Sequence, residues 1–166
     1  MTAPIVLVLA RASDGTIGHQ GNIPWRIAAD MRHFKASTIG KPCIMGRKTW
    51  ESLPKKPLPG RTNIVVTRDR GFKAEGASVV HSFVDAVALA QAENPEEIAV
   101  IGGADIYREA ISQTQRIYLT DVHADFGGDV RMPPFDRGLW DETDREDHVA
   151  ESGAPAFSFL TLERRD

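Results

Sequence analysis

Short apolar runs alternate with helical patterns along most of the chain. The runs are rich in β-branched residues and occupy residues 4–10, 41–46, 62–68, 78–80, 97–103 and 116–122. Continuous apolar runs of this length are typical of strands buried on both faces of a sheet. Segments with a helical pattern lie between them, at residues 27–38, 47–53, 83–93 and 104–111. The alternation predicts a parallel sheet with helices on both faces.

The end of the chain loses this alternation. Residues 128–135, 140–149 and 156–165 have the composition of strands joined by turns. We therefore expect a C-terminal antiparallel hairpin that joins the parallel strands in one mixed sheet. No repeat, low-complexity segment or linker divides the sequence, which predicts a single α/β domain over residues 1–166.

Composition and charge narrow the function classes. The 166 residues carry a net charge of −3 and 20 dispersed Lys and Arg residues, which argues against nucleic-acid binding. The run at residues 4–10 is too short to span a bilayer, and the N-terminus lacks a signal-peptide pattern. The single Cys43 cannot form an internal disulfide, and the five histidines lack paired metal-ligand spacing. A soluble cytoplasmic protein without membrane contact or bound metal is expected.

An acidic residue interrupts the apolar face of the first predicted helix. Asp30 falls in the same helical stripe as Ile27, Met31 and Phe34, which we expect to face the core. Two interpretations remain open. Asp30 lies in the first turn, where a carboxylate interacts favourably with the helix dipole. It could instead lie on the floor of an apolar cleft, where it would bind a ligand with N–H donors or take part in proton transfer.

Two segments share the order buried strand, glycine, helix start. They are CIMGRKTW at residues 43–50 and AVIGGADIY at residues 99–107. Glycine lets an anion approach the free N–H groups of a helix start, although either turn alone could simply be a tight connection. Together they could bind a dinucleotide pyrophosphate, although neither fits the GxGxxG pattern. Thr67 and Arg68 end another strand, and this hydroxyl and guanidinium suit a ribose 2′-phosphate, which favours NADPH over NADH.

Seven segments together resemble the bacterial dihydrofolate reductase family. They are IGHQGNIPW, DMRHFK, KPCIMGRKTWESL, PLPGRTNIVVTR, VIGGADIY, IYLTDV and GGD, all in the family's order. The resemblance implies an eight-stranded, mostly parallel sheet with four main helices and an adenosine-binding subdomain over roughly residues 41–95. It also implies reduction of 7,8-dihydrofolate by NADPH, a monomer, and inhibition by antifolates such as trimethoprim or methotrexate.

The resemblance also implies roles around the substrate. Asp30 would bind the 2-amino group and ring N–H of the pterin, with the Thr120 hydroxyl bonded beside it, and Arg61 would bind the glutamate carboxylate. Trp25 would hold a water near Asp30, and Ile23 would close over the nicotinamide as part of a mobile loop. The implied substrate positions are Val8, Leu9, Asp30, Met31, Phe34, Lys35, Leu53, Leu58, Arg61, Ile101, Tyr107 and Thr120.

For the cofactor, the resemblance implies contacts along the ends of several strands. Ala10 and Ile17 would bind the nicotinamide amide through their backbone, Gly102 and Gly103 would be joined by a cis peptide bond, and Tyr107 would face the nicotinamide. The implied cofactor positions are Ala10, Ile17, Gly18, Asn22, Ile23, Gly46, Arg47, Lys48, Thr49, Val66, Thr67, Arg68, Ile101, Gly102, Gly103, Ala104, Asp105, Ile106 and Tyr107.

The sequence departs from the family at Arg26, Ala28 and Asp105 and by one extra residue near residues 54–57. These departures bear on loop movement, helix start, cofactor affinity and the rim of the site. Two alternatives to a dihydrofolate reductase are a related pyrimidine reductase of riboflavin synthesis and a non-catalytic module that binds NADPH or folate. Asp30 and Arg61 argue against the first, because a ribose-phosphate substrate needs no anchor for a glutamate tail.

Overall fold

A computed structural model describes residues 2–151 and 153–165 of the chain. The strands are β1 (Ile5–Ala12), β2 (Thr16–Gly18), β3 (Cys43–Gly46), β4 (Asn63–Val66), β5 (Ser78–Val80), β6 (Ile98–Val100), β7 (Thr114–Val122), β8 (Val130–Arg131), β9 (Trp140–His148) and β10 (Phe157–Arg164). The helices are α1 (Ala28–Thr38), α2 (Arg47–Ser52), α3 (Phe83–Gln91) and α4 (Ala104–Ala110), and a 3₁₀ turn covers Ile111–Gln113.

Eight of these strands form one mixed sheet in the order β5-β4-β3-β6-β1-β7-β10-β9. Neighbouring strands from β5 to β7 are parallel, whereas β10 runs antiparallel to both β7 and β9. The predicted α/β class, the mixed eight-stranded sheet and the antiparallel C-terminal strands are therefore confirmed. Among the residues that the structure describes, no helix is long and apolar enough to cross a membrane.

The two faces of the sheet are covered by different helices. On one face, Leu7 and Ile44 of the strands pack with Phe83 of α3 and Ile106 of α4. On the other face, strand residues pack against α2 and against Phe34 of α1. Because side chains alternate along each strand, neighbouring residues of β1 serve opposite faces, which explains why its sequence is apolar throughout.

Three predictions about local structure are wrong. The glycine-rich polar segment at residues 11–22 predicts a long loop, but it is not wholly a loop, since β2 pairs with β8 in a separate two-stranded sheet. The segment at residues 128–135 contributes only β8, which lies outside the main sheet. Met31 does not face the core, because it is 62% exposed, whereas Ile27 is 4% exposed. Helix α1 therefore contacts the sheet through a narrower apolar stripe than its sequence suggested.

Candidate active site

The carboxylate of Asp30 lies beside the central strands of the sheet. Its Oδ1 accepts a hydrogen bond from Thr120 Oγ1 at 2.6 Å, although the two residues are 90 positions apart in sequence. Thr120 is opposite Ala10 in the pairing of β7 with β1, so this contact lies in the carboxyl-terminal half of the parallel strands. Ligand sites of open α/β sheets form at this end.

Burial raises the pKa of the Asp30 carboxyl above its ordinary value. The Thr120 hydroxyl, the nearby charge of His33 and the Trp25 indole act in the opposite direction without cancelling the effect of burial. Trp25 itself is buried, and its ring lies 5.0 Å from that of Phe126. The fold thus places a carboxyl group with a raised pKa next to two side chains that can donate hydrogen bonds.

An apolar wall stands on the same face of the sheet as Asp30. Val8 and Ile101 are buried in it, and Phe34, Leu53 and Leu58 are partly buried against the same cluster. Phe34 follows Asp30 by one helical turn, so the two side chains project from one face of α1. The combination is a cleft with an apolar wall and one carboxylate, which suits a flat ring that carries N–H donors.

Arg61 lies at the rim of this cleft, and hydrogen bonds to Pro59 and Thr38 orient its side chain. Its Nε donates to the Pro59 carbonyl at 2.9 Å, and its Nη1 donates to Thr38 Oγ1 at 3.0 Å. Thr38 is buried at the end of α1 and donates in turn to the Phe34 carbonyl at 2.8 Å. A guanidinium has five N–H donors, so a group fixed in this way can still bind a carboxylate.

The two strand–glycine–helix turns meet each other across the sheet. The Gly46 N–H donates to the Gly102 carbonyl at 2.8 Å, and the Gly102–Gly103 peptide bond is cis. Gly102 has a φ of +125°, and a Cβ there would lie 3.2 Å from the Tyr107 hydroxyl and 3.4 Å from Thr49 Oγ1. The close packing and the positive φ both favour glycine at residue 102. The backbone that a ligand can approach belongs to its neighbours Gly46 and Gly103, which are partly exposed.

Basic side chains continue from these turns along the ends of β3 and β4. Arg47 is exposed, pairs with Asp69 at 3.0 Å, and stacks over the ring of Phe72 at 4.4 Å. Thr67 and Arg68 follow directly after β4, and Arg68 is exposed. This edge presents positive charge next to the glycine turns, which suits an anionic ligand.

The loop that precedes α1 is tied to the segment before β8. The Gln20 N–H lies 3.2 Å from both carboxylate oxygens of Asp129, and the Gly128 N–H donates to Thr16 Oγ1 at 3.0 Å. Asp14 accepts the Gly127 N–H at 2.8 Å, and hydrogen bonds from Thr16 and Gly127 hold its pKa far below the ordinary value. These hydrogen bonds hold the loop that precedes α1 against the segment that precedes β8.

The structure brings most of the predicted substrate positions to one cleft. Asp30, Phe34, Lys35 and Met31 lie on α1, although Met31 and Lys35 are exposed. Leu9 belongs to the apolar cluster on the opposite face of the sheet, so its side chain points away from Asp30. The role of each of these residues stays a prediction.

The predicted cofactor positions lie in the carboxyl-terminal parts of strands, in the segments that follow them, or in and around β2. Tyr107 is buried, and its hydroxyl donates to the Val8 carbonyl at 2.9 Å. Burial raises the pKa of the Tyr107 hydroxyl well above its ordinary value, so this group stays a neutral donor. Ile23 is 57% exposed, and its predicted closure over a nicotinamide is not tested by the structure.

Two histidines near the site were not predicted from the sequence. His81 Nδ1 lies 2.8 Å from the Thr67 carbonyl, next to the basic edge, and no sequence motif points to it. His33 follows Asp30 by three residues on α1, and this spacing alone could have identified it as a neighbour of the carboxylate. Within residues 2–151 and 153–165, no group of three or more His, Cys, Asp or Glu side chains is arranged to hold a metal ion.

The fold and the cleft together define a class. An α/β chain with an anion-accepting glycine edge and a separate carboxylate-bearing cleft, both at the carboxyl ends of parallel strands, can hold two ligands side by side. Comparison with known proteins then identifies the family. A family model described as dihydrofolate reductase matches residues 4–164.

Individual relatives agree with this match. The chain is 44% identical over 162 residues to dihydrofolate reductase type 3 from Salmonella typhimurium, which covers 97% of this chain and 98% of that protein. It is 42% identical over 156 residues to dihydrofolate reductase from Neisseria gonorrhoeae, with 94% and 95% of the two chains covered. A solved dihydrofolate reductase from Enterococcus faecalis, complexed with NADP(H) and RAB-propyl, superposes with a TM-score of 0.89 at 31% identity and covers 100% of both chains. The chain belongs to the dihydrofolate reductase family, and the resemblance seen in its sequence is confirmed.

Proposed function

We propose that this chain reduces 7,8-dihydrofolate to tetrahydrofolate with NADPH. The observation that carries the proposal is the 2.6 Å contact between Thr120 and Asp30 beside an apolar wall, in a chain of the dihydrofolate reductase family. Tyr107 links this site to the glycine turns, because its hydroxyl donates to the carbonyl of Val8 in the wall and packs against Gly102. A bound ring and a bound cofactor would therefore lie next to each other. Holding two reactants in contact can itself lower a barrier by ~7–11 kcal/mol.

Asp30 and Arg61 would bind the two polar ends of the substrate. The ionised carboxylate of Asp30 accepts two N–H groups from the pterin edge, while the Thr120 hydroxyl keeps one of its oxygens in place. Arg61, held by Pro59 and Thr38, binds the carboxylate of the glutamate tail. The apolar side chains between them cover the flat rings and exclude water from the reacting carbon.

The residues along the glycine edge fit a phosphorylated dinucleotide. Gly46 and Gly103 leave backbone partly exposed where the pyrophosphate would approach, and Thr67 with Arg68 would supply a hydroxyl and a guanidinium for the 2′-phosphate. The solved relative from Enterococcus faecalis was determined with NADP(H), which supports the same assignment. NADPH would supply the hydride when bound, and the residues of the glycine edge would hold it next to the substrate cleft.

One proton must also reach the pterin nitrogen beside the reduced carbon. Burial raises the pKa of Asp30, but the carboxylate serves best as an anchor that polarises the pterin and makes this nitrogen easier to protonate. Trp25 Nε1 is buried and finds no hydrogen-bond partner among the described residues, so its N–H is available to hold a water beside Asp30. Water is then the proton carrier.

Several further features belong to the same proposal. Antifolates such as trimethoprim or methotrexate should compete for the Asp30 cleft, because a cationic ring with N–H donors pairs well with a carboxylate. A monomer in the cytoplasm is expected. The only cysteine, Cys43, is buried, and burial raises the pKa of its thiol to about 12, so the protein needs no oxidising compartment.

The test is spectrophotometric. Purified protein mixed with NADPH should oxidise it only when dihydrofolate is added, and should do so far less well with NADH. Oxidation driven by a ribose-phosphate pyrimidine instead of dihydrofolate would support the alternative reductase. Tight binding of NADPH and dihydrofolate by a folded protein without turnover would support a non-catalytic binding module.

A further inference from the structure

His33 is a charged neighbour of the Asp30 carboxylate that the proposed mechanism does not use. It lies on α1, one helical turn after Asp30, so both side chains project toward the sheet. Its imidazole stacks on the ring of Phe159, with the ring centroids 3.9 Å apart and an angle of 11° between the planes. The ring is half-buried.

Phe159 lies in the middle of a row of side chains that crosses three strands. In the antiparallel register it is paired with Thr120 of β7 on one side and with Glu146 of β9 on the other. Side chains of paired residues project from the same face of a sheet. His33 therefore covers a row of side chains that begins at Thr120, the hydrogen-bond partner of Asp30, and ends at Glu146 on the outermost strand β9.

The charged groups around His33 come from two elements. From its own helix the group is Asp30, and from the same face of β9 the groups are Asp144, Glu146 and His148. Between His33 and β9 is a cavity of about 360 Å³, lined by His33, Asp144, Arg145, Glu146, Phe159, Leu160 and Thr161. The β10 side chains in this set carry no charge, so the electrostatic environment of the imidazole is set by Asp30 and β9.

These groups act on one another in both directions. Burial lowers the pKa of His33, while Asp30 and Glu146 act to raise it and His148 acts to lower it. The charge of His33 in turn counteracts the rise in the pKa of Asp30. Glu146 is tied to the same cluster, since its Oε2 lies 3.2 Å from Nε2 of His148. The charge state of His33 and that of Asp30 therefore affect each other.

We propose that His33 is a positioning residue that couples the charge of the Asp30 carboxylate to the charged outer strand β9. The role rests on the proposed function, because Asp30 is the substrate anchor only in a dihydrofolate reductase. Protonated His33 favours the ionised anchor, and Glu146 favours protonated His33. The outer strand thereby influences how the anchor responds to pH although none of its residues reaches the substrate cleft.

The first experiment measures the coupling without reference to activity. The pH titration of each histidine ring is followed by NMR in the wild type, Asp30→Asn and Glu146→Gln, with His33→Phe used to assign the His33 signal. Both Asp30→Asn and Glu146→Gln should lower the midpoint of His33 by about half a unit or more, because each removes a neighbouring negative charge. A His33 midpoint that is the same in all three proteins would overturn the inference.

The second experiment asks whether the coupling reaches the reaction. His33→Phe keeps an aromatic ring on Phe159 but removes the charge, so the Asp30 midpoint in the pH profile of kcat/KM for dihydrofolate should move to higher pH. By reciprocity this shift should match the shift of His33 caused by Asp30→Asn. Glu146→Gln should move the profile in the same direction in the wild type and should have no effect in the His33→Phe background. Unchanged profiles in a folded His33→Phe protein would overturn the positioning role.

A matched control is available on the other face of the sheet. His123 contacts Ser158 and Asp121, which alternate with the residues of the Phe159 row. His123→Gln should leave both the His33 titration and the pH profile unchanged, and a change would refute the specificity of the coupling. If the NMR coupling is present but the wild type does not reduce dihydrofolate, the proposed function fails while the charge coupling stands.

Discussion

Replacement of Asp30 by asparagine should change activity and stability in opposite directions. The amide has nearly the same shape and can still accept the hydrogen bond that Thr120 donates at 2.6 Å in the wild type. It cannot carry a negative charge, and it cannot accept two N–H groups from the pterin. The substitution therefore removes the charge of the anchor while it leaves the local packing in place.

The stability effect follows from the pKa of Asp30, which burial raises above its ordinary value. Each unit of such a rise makes the folded state about 1.4 kcal/mol less stable at a pH where the carboxyl is ionised. This cost is present above the folded pKa and disappears as the pH falls below the ordinary value. Asp30→Asn should therefore raise the melting temperature at neutral pH, by about 2–4 °C for each kcal/mol recovered, and should not raise it in acid.

The activity effect is the loss of an anchor that polarises the substrate. Single-turnover hydride transfer, followed by NADPH absorbance, should slow by ~10²–10⁴-fold at neutral pH. The loss should shrink at low pH, where dihydrofolate arrives already protonated from solution. Asp125→Asn is the matched control, since Asp125 is exposed outside the cleft and should affect neither quantity. An equal loss of rate at every pH, or a lower melting temperature at neutral pH, would refute the reasoning.

Three further substitutions test other parts of the site and fold. Arg61→Lys should raise the KM for dihydrofolate about tenfold or more, because lysine lacks the planar guanidinium that binds a carboxylate through two N–H groups. The KM for NADPH should not change, and equal changes in both KM values would contradict the assignment of Arg61 to the glutamate carboxylate. Arg68→Ala should raise the KM for NADPH far more than that for NADH, and an unchanged cofactor preference would rule out the 2′-phosphate contact. Burial opposes ionisation of Glu97, but hydrogen bonds from Lys41 and Tyr118 hold its pKa below the ordinary value. Its contribution is present above the ordinary pKa and is lost as the pH falls through the folded value, so Glu97→Gln should lower the free energy of unfolding at neutral pH by about 1–3 kcal/mol and weaken its decline in acid. Urea unfolding across that pH range measures this, and a variant with the wild-type pH dependence would contradict it.

The sequence determined the fold class because residues that are buried in a sheet or under a helix are mostly apolar. Each apolar run became a strand of the main sheet, and the loss of alternation near the C-terminus correctly indicated antiparallel strands. The boundaries were less accurate, since the run at residues 97–103 contains only the three-residue β6. Ile101 is apolar because it is buried in the wall of the cleft, outside the strand. Hydropathy reports burial and does not distinguish a sheet ladder from a cleft wall.

The sequence also singled out Asp30 as a candidate residue but left two interpretations of it open. Only the tertiary structure shows that Asp30 lies beside an apolar wall, because its contact with Thr120 joins residues 90 positions apart. The hydrogen bond between Gly46 and Gly102 and the stack of His33 on Phe159 likewise depend on strand order and register. Residue patterns within one segment reflect its own periodicity, whereas a site assembled from distant segments depends on how the whole sheet pairs. The sequence therefore indicated which residue types could form a site, and the packing of α1 across the sheet determined how those residues are arranged.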